Sequence, residues 1–145
     1  MAAAACGFGV RAALALLLVA VSAVPGSSQN RVAQADAPAK ANAVRDLQRA
    51  VRENDRSWLA AHIRYPLRYH GRIVAVIRNR DDFLRGYGNF VSDRLRRAIL
   101  IQDPDRVFES WQGMMVGDGS HNMWLRESGE GDAARYEIVT INDSR

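Results

Sequence analysis

Few groups in this chain could move a proton: four tyrosines, three histidines and a small set of carboxylates. Tyr69, His70 and Tyr87 are of the right type for such chemistry, a phenol serving as hydrogen-bond donor and an imidazole as base. Tyr65, His62, His121 and Gln112 complete the set. Acids are scarce where a catalyst needs them. Asp118 lies between two glycines in a turn, and Glu109 alternates with Trp111 on a mixed strand face, at a rim as readily as in an interior. His62, His70 and His121 follow no ligand spacing, so no metal site is expected, and nothing calls for a cofactor. Serine-nucleophile motifs and phosphate-cradling glycine loops are missing, and Gly117-Asp118-Gly119 is accounted for by a hairpin turn.

That turn belongs to the stretch that organises the domain, residues 107–125, VFESWQGMMVGDGSHNMWL. Asp-Gly between two β-favouring runs predicts one long hairpin. With Asp118 and Gly119 at the turn, Val116 pairs with His121, Met114 with Met123 and Gly113 with Trp124. Strand alternation then puts Gln112, Met114, Val116, His121, Met123 and Leu125 on one face, and Trp111, Met115, Asn122, Trp124 and Arg126 on the other. Both faces carry apolar side chains, so both are expected to be covered, with a tryptophan lying over the cross-strand glycine. If helices cover only the aliphatic face, Trp111, Met115 and Trp124 beside Arg126 become an interface for a second copy or a partner protein.

Upstream, residues 41–58 carry Val44, Leu47, Val51 and Trp58 at helical spacing, with Arg45, Arg49, Arg52 and Arg56 on the nearly opposite side. Asp55 or Ser57 caps a second short helix that stops before Pro66. Residues 67–77 form a small hairpin turning at His70-Gly71. Its second arm, Ile73-Val74-Ala75-Val76-Ile77, has no polar alternation and is expected to be covered on both sides. Asn79, Asp81 and Asp82 start a third helix through Phe83, Leu84, Tyr87 and Phe90, and residues 92–101 continue or restart it. A last strand is expected over residues 135–141.

At 145 residues the chain has room for one domain and an appendage. Arg11, an apolar run over residues 12–24 and then Pro25-Gly26-Ser27-Ser28 form a secretory signal peptide, cleaved after Ala23 or as late as Ala35. The run is shorter than the roughly 20 residues of a membrane span, which makes an uncleaved anchor the weaker alternative. Residues 25–40 read as linker. Cys6 leaves with the signal, so the mature chain has no thiol chemistry. Every basic residue but Lys40 is arginine, a bias of GC-rich bacterial genomes, so the location expected is the periplasm or the outside. Residues 36–97 hold 14 basic against 7 acidic residues, and 98–145 hold 4 against 9. This polarity is read as intramolecular pairing, with no nucleic-acid partner and no stable membrane insertion of the mature domain.

Two helices, a short hairpin, a helical segment and a meander of strands make an α+β order. Together with Tyr65-Pro66-Leu67, Arg80-Asp81-Asp82-Phe83-Leu84 with Tyr87, and Trp111 to Gly119 followed by Trp124, it resembles the nuclear transport factor 2-like superfamily, whose members include ketosteroid isomerase and polyketide cyclases. The resemblance covers about residues 41–142 and implies a curved antiparallel sheet wrapped around N-terminal helices as a cone. One strand of the usual set is missing, or lies within residues 97–101. A cone implies a pocket lined by Trp58, Tyr65, Tyr87 and Gln112. Isomerases of the group use a buried carboxylate with a tyrosine donor, and no Asp stands mid-strand here to fill that role. The function expected is an exported, non-catalytic binding domain for an apolar small molecule or an envelope protein, able to form a homodimer. The alternatives are a small-molecule isomerase or lyase using the cone, and a protective partner of an envelope-acting toxin or hydrolase.

Overall fold

Val44, Leu47, Gln48 and Val51 recur at three- and four-residue spacing and are buried, which makes one stripe of a long helix the inner wall of the domain. In the computed structural model, which describes residues 28–129 and 134–144, this helix, α1, runs Ser28–Glu53 with Pro38 inside it. Residues 28–40, expected as linker, are therefore helical; their alanines favour that state against the missing amide of Pro38. Residues 1–24, Cys6 and the earlier cleavage position lie outside the described residues.

Asn54 ends α1 in the left-handed region at φ 56°. Asp55 then caps α2 (Arg56–Ala61), its carboxylate accepting the Trp58 N–H at 2.9 Å. The chain turns straight into β1 (Ile63–His70) and β2 (Val74–Ile77). Asn79 caps α3 (Arg80–Phe90) by accepting the Asp82 N–H, and Ser92 caps α4 (Asp93–Ile101) by accepting that of Leu95. Residues 97–101 are thus helix, and no strand hides there. α4 packs on the sheet while Gln48 ties it to α1, donating to the carbonyls of Ile99 at 2.9 Å and Gln102 at 2.8 Å. That bond satisfies carbonyls a helix C-terminus leaves unpaired.

The rest is strand: β3 (Phe108–Ser110), β4 (Gly113–Gly117), β5 (His121–Ser128) and β6 (Arg135–Asp143). All six strands form one curved sheet in the order β2-β1-β6-β5-β4-β3. It is mixed rather than antiparallel, because β1 and β6, neighbours inside the sheet, run parallel. Pro66 falls in the unpaired stretch of that ladder between Ile63 and Arg68, where its missing N–H costs nothing.

The single long hairpin expected over residues 107–125 is three strands. Ser110 pairs with Gly113, so Trp111 and Gln112 form a tight turn and Trp111 sits at a tip instead of on a strand face. The β4–β5 register is two residues off the expected one, Val116 facing Met123 and Met115 facing Trp124, so Trp124 does not cover Gly113. The cause is Asp118, whose carboxylate accepts the Ser120 and His121 N–H groups at 2.8 and 2.7 Å and spreads the turn over more residues. A shift of two preserves the faces. Met114, Val116, Met123 and Leu125 are buried inward with Leu67, Tyr69, Ile138 and Ile141.

Among the described residues, nothing covers the outer face of β2. Val74 is 78% and Val76 61% exposed, which overturns the expected double burial of that arm: β2 is an edge strand whose outer side meets solvent.

Glu137 on β6 is a buried acid of the sheet, bonded by Arg64 Nε at 2.9 Å and Arg135 Nη2 at 2.8 Å. Burial pushes its pKa up, and hydrogen bonds from Arg64, Arg135 and Ser128 more than reverse this, holding it below the usual carboxylate range. A depressed native pKa contributes stability that is present above the unfolded value of ~4.3 and fades as pH falls through the native one. Glu137→Gln should therefore cost about 1–2 kcal/mol at neutral pH, the low end for a buried pair because both arginines reach water. Urea titrations at neutral and acid pH should show the gap between variant and wild type closing on acidification.

Candidate functional site

At the end of the sheet where β1 turns into β2 and β6 finishes, a cleft of about 910 Å³ opens between the sheet and the α3–α4 junction. Tyr69 and Phe90 form part of its wall, their rings edge to face at 5.1 Å. The Tyr69 hydroxyl donates to the Asn89 carbonyl at 2.9 Å. Burial, reinforced by the negative charge of Asp143, raises the Tyr69 pKa against the opposing pull of Arg72, so the phenol stays protonated. Asp143 is itself buried, accepting from Ser92 Oγ at 2.8 Å and from the Ser92 N–H at 3.3 Å. His121 Nε2 lies 3.8 Å from Asp143, and its Nδ1 lies 3.5 Å from Asp118. These residue types suit a hydrolase, but their order does not. Ser92 bonds the acid rather than the histidine, and the same oxygen accepts the Leu95 N–H, so it is a helix cap and not an activated nucleophile. Three arginines, Arg72, Arg94 and Arg97, line the cleft as well.

A second hollow, of about 310 Å³, lies on the outer face of the sheet. Trp124 and Arg126 of β5 line it with Arg68 and His70 of β1, and the Trp111-Gln112 turn closes one side. Arg126 fixes that turn by donating to the Gln112 carbonyl from Nε at 3.3 Å and Nη2 at 3.1 Å. Trp111 nevertheless stands 87% exposed, while Met115 and Trp124 are half-buried, Trp124 edge-on to Phe108.

The four residues expected to share a ligand pocket are dispersed. Trp58 stacks on His62 at 3.7 Å and lines a smaller hollow of about 230 Å³ between α1, α2 and the sheet. Tyr65 donates to the Ala60 carbonyl at 3.1 Å, and burial lifts its pKa to about 12 against the pull of Arg80. Tyr87 is buried on α3 with the Arg56 guanidinium 4.7 Å from its ring centre. Among the described residues its hydroxyl meets no partner at good hydrogen-bond geometry; burial raises its pKa, and the nearby Arg96 and Arg56 work the other way. Gln112 is on the outer face with Trp111, Trp124 and Arg126.

The catalytic candidates are dispersed too. Tyr69 faces the core and its neighbour His70 the outer side of the sheet, with Tyr87 elsewhere on α3. Asp143 and the three cleft arginines escaped the sequence reading. Asp143 falls beyond the last apolar strand residue, and the arginines were absorbed into a general basic excess.

Among the described residues no group of His, Cys, Asp or Glu is arranged to hold a metal ion, and no helix is long and apolar enough to cross a membrane. No family model, curated protein or solved structure matches the chain.

Proposed function

We propose that this chain is an exported, non-catalytic binding domain of the nuclear transport factor 2-like kind, working through the outer face of its sheet on a protein partner, in the first place a second copy of itself. The observation that carries this is Trp111, a tryptophan 87% exposed and held in place by the Arg126 bonds to its turn. Val74, Val76 and Phe108 add exposed apolar surface. Rigid aromatic anchors ringed by arginine and polar groups are the usual centre of a protein interface. The interior supports the choice of a protein over a small molecule. Leu47, Phe83, Leu95, Ile99, Met123 and Ile141 are fully buried between helices and sheet and fill the space a cone would leave for a ligand. An isomerase or lyase would need an acid beside Tyr87 or a shared pocket for Tyr69 and His70, and those residues face different ways.

Sedimentation velocity on the chain without residues 1–24 tests this. Self-association in the range of about 1–100 µM is expected, with Trp111→Ala weakening it about tenfold or more. A wild-type chain that stays monomeric over that range, or a dimer indifferent to Trp111→Ala, would overturn the proposal.

A further inference from the structure

Arg72 approaches the end cleft from the β1–β2 turn, and Arg94 and Arg97 from one side of α4. Some arginines elsewhere pair with carboxylates, Arg45 with Asp105, Arg49 with Asp46 and Glu53, Arg64 and Arg135 with Glu137, and Arg85 with Asp82, and others among the described residues, such as Arg52 and Arg68, stand alone on the surface. Arg72, Arg94 and Arg97 form no ion pair or side-chain hydrogen bond among the described residues. Two carboxylates, Asp93 and Asp143, also line the cleft. Both oxygens of Asp143 are held by Ser92, and Asp93 lies in the first turn of α4, where its charge meets the positive end of the helix. Three guanidiniums against two carboxylates give the hollow a basic excess, which would draw an anion to it.

We infer that this cleft is a binding site for a phosphate ester carried on an apolar body. Guanidiniums meet phosphate oxygens in paired, charge-assisted hydrogen bonds, and three of them from two elements surround the group from more than one side. The apolar body is required by the rest of the lining. Ile73, 62% exposed, and Phe90 present hydrocarbon where a bare ion would leave it wet. A hollow of about 910 Å³ also far exceeds what inorganic phosphate fills, and matches the size of organic-ligand pockets. The phosphate ester is either a soluble metabolite or a lipid headgroup, and exposed Ile73 in the lining gives a lipid chain somewhere to lie. This site is separate from the outer face and stands or falls independently of it.

The test uses two probes on the chain without residues 1–24: a short-chain alkyl phosphate by titration calorimetry, and vesicles of phosphatidylcholine with and without phosphatidic acid by co-sedimentation. Saturable binding of the alkyl phosphate, tighter than that of inorganic phosphate, is expected for a soluble ligand. Binding only to vesicles containing phosphatidic acid assigns the lipid source. In either arm Arg94→Gln/Arg97→Gln should weaken binding about tenfold or more, and Arg52→Gln, on an exposed stretch of α1, should not. All three side chains are solvent-facing, so the variants should melt like the wild type. Failure to bind either probe, or equal losses in Arg52→Gln and the double variant, would overturn the inference.

Discussion

Phe83→Ala should cost about 3–5 kcal/mol, a large share of the 5–15 kcal/mol that holds a typical domain together. Phe83 has no exposed surface and stands at the centre of an aromatic group. Tyr87 meets it edge-on at 5.7 Å, Phe90 stacks on it at 6.3 Å, and Phe90 in turn meets Tyr69. Truncation removes a whole ring from a site whose neighbours are fixed on α3 and β1, so the void cannot close easily. Phe83→Leu keeps most of the volume and should cost about 1–2 kcal/mol. Urea unfolding followed by circular dichroism measures both. A loss under ~1 kcal/mol for alanine would mean that α3 is not anchored through this ring. Since Phe90 and Tyr69 wall the cleft, the variant should also weaken alkyl phosphate binding while leaving all its arginines in place.

Gly113→Ala should destabilise by about 2–4 kcal/mol, from strain at a left-handed position and a backbone clash together. Gly113 has φ 126°, a conformation other residues rarely adopt, and a Cβ there would press into the Leu125 carbonyl oxygen, a backbone atom fixed by the sheet. Gly119, in the neighbouring turn, is the internal control: a Cβ there meets nothing within 4 Å and its φ is not in the strained region, so Gly119→Ala should stay within about 0.5 kcal/mol. Thermal unfolding of the pair separates the two positions. Gly113 also closes the turn that presents Trp111, so its variant should lose self-association at temperatures where it is still folded. Unchanged association in a folded Gly113→Ala chain would show that Trp111 does not need a rigid turn.

What could be read from the chain was what a few neighbouring residues decide. Asp55, Asn79 and Ser92 announce helix starts because a short polar side chain reaches an amide three residues on. The inward and outward faces of β4 and β5 follow from alternation and survive a register error of two. The Trp111 turn was not legible, since Ser-Trp-Gln-Gly lacks the Asp-Gly signature and the apolar runs continue on both sides of it. Nor could Ile73 to Ile77 disclose that it forms an edge, because a strand buried on both sides and an exposed edge strand share the same unbroken apolar spelling. The end cleft is the clearest case. Its residues come from Tyr69, the β1–β2 turn, the α3–α4 junction, His121 and Asp143, and only the pairing of the first and last strands brings them together.

That pairing also sets a clock. β6 lies between β1 and β5, and it joins Ile63 to Ile138 across most of the domain. Until residue 135 and those after it have emerged, β1–β2 and β3–β5 are two ribbons with no shared ladder, and neither has its other half to bury against. Closing so long a loop is slow, and the partly made chain waits with its apolar strands open. A nascent chain of this topology should keep its two ribbons unjoined until its last strand is made.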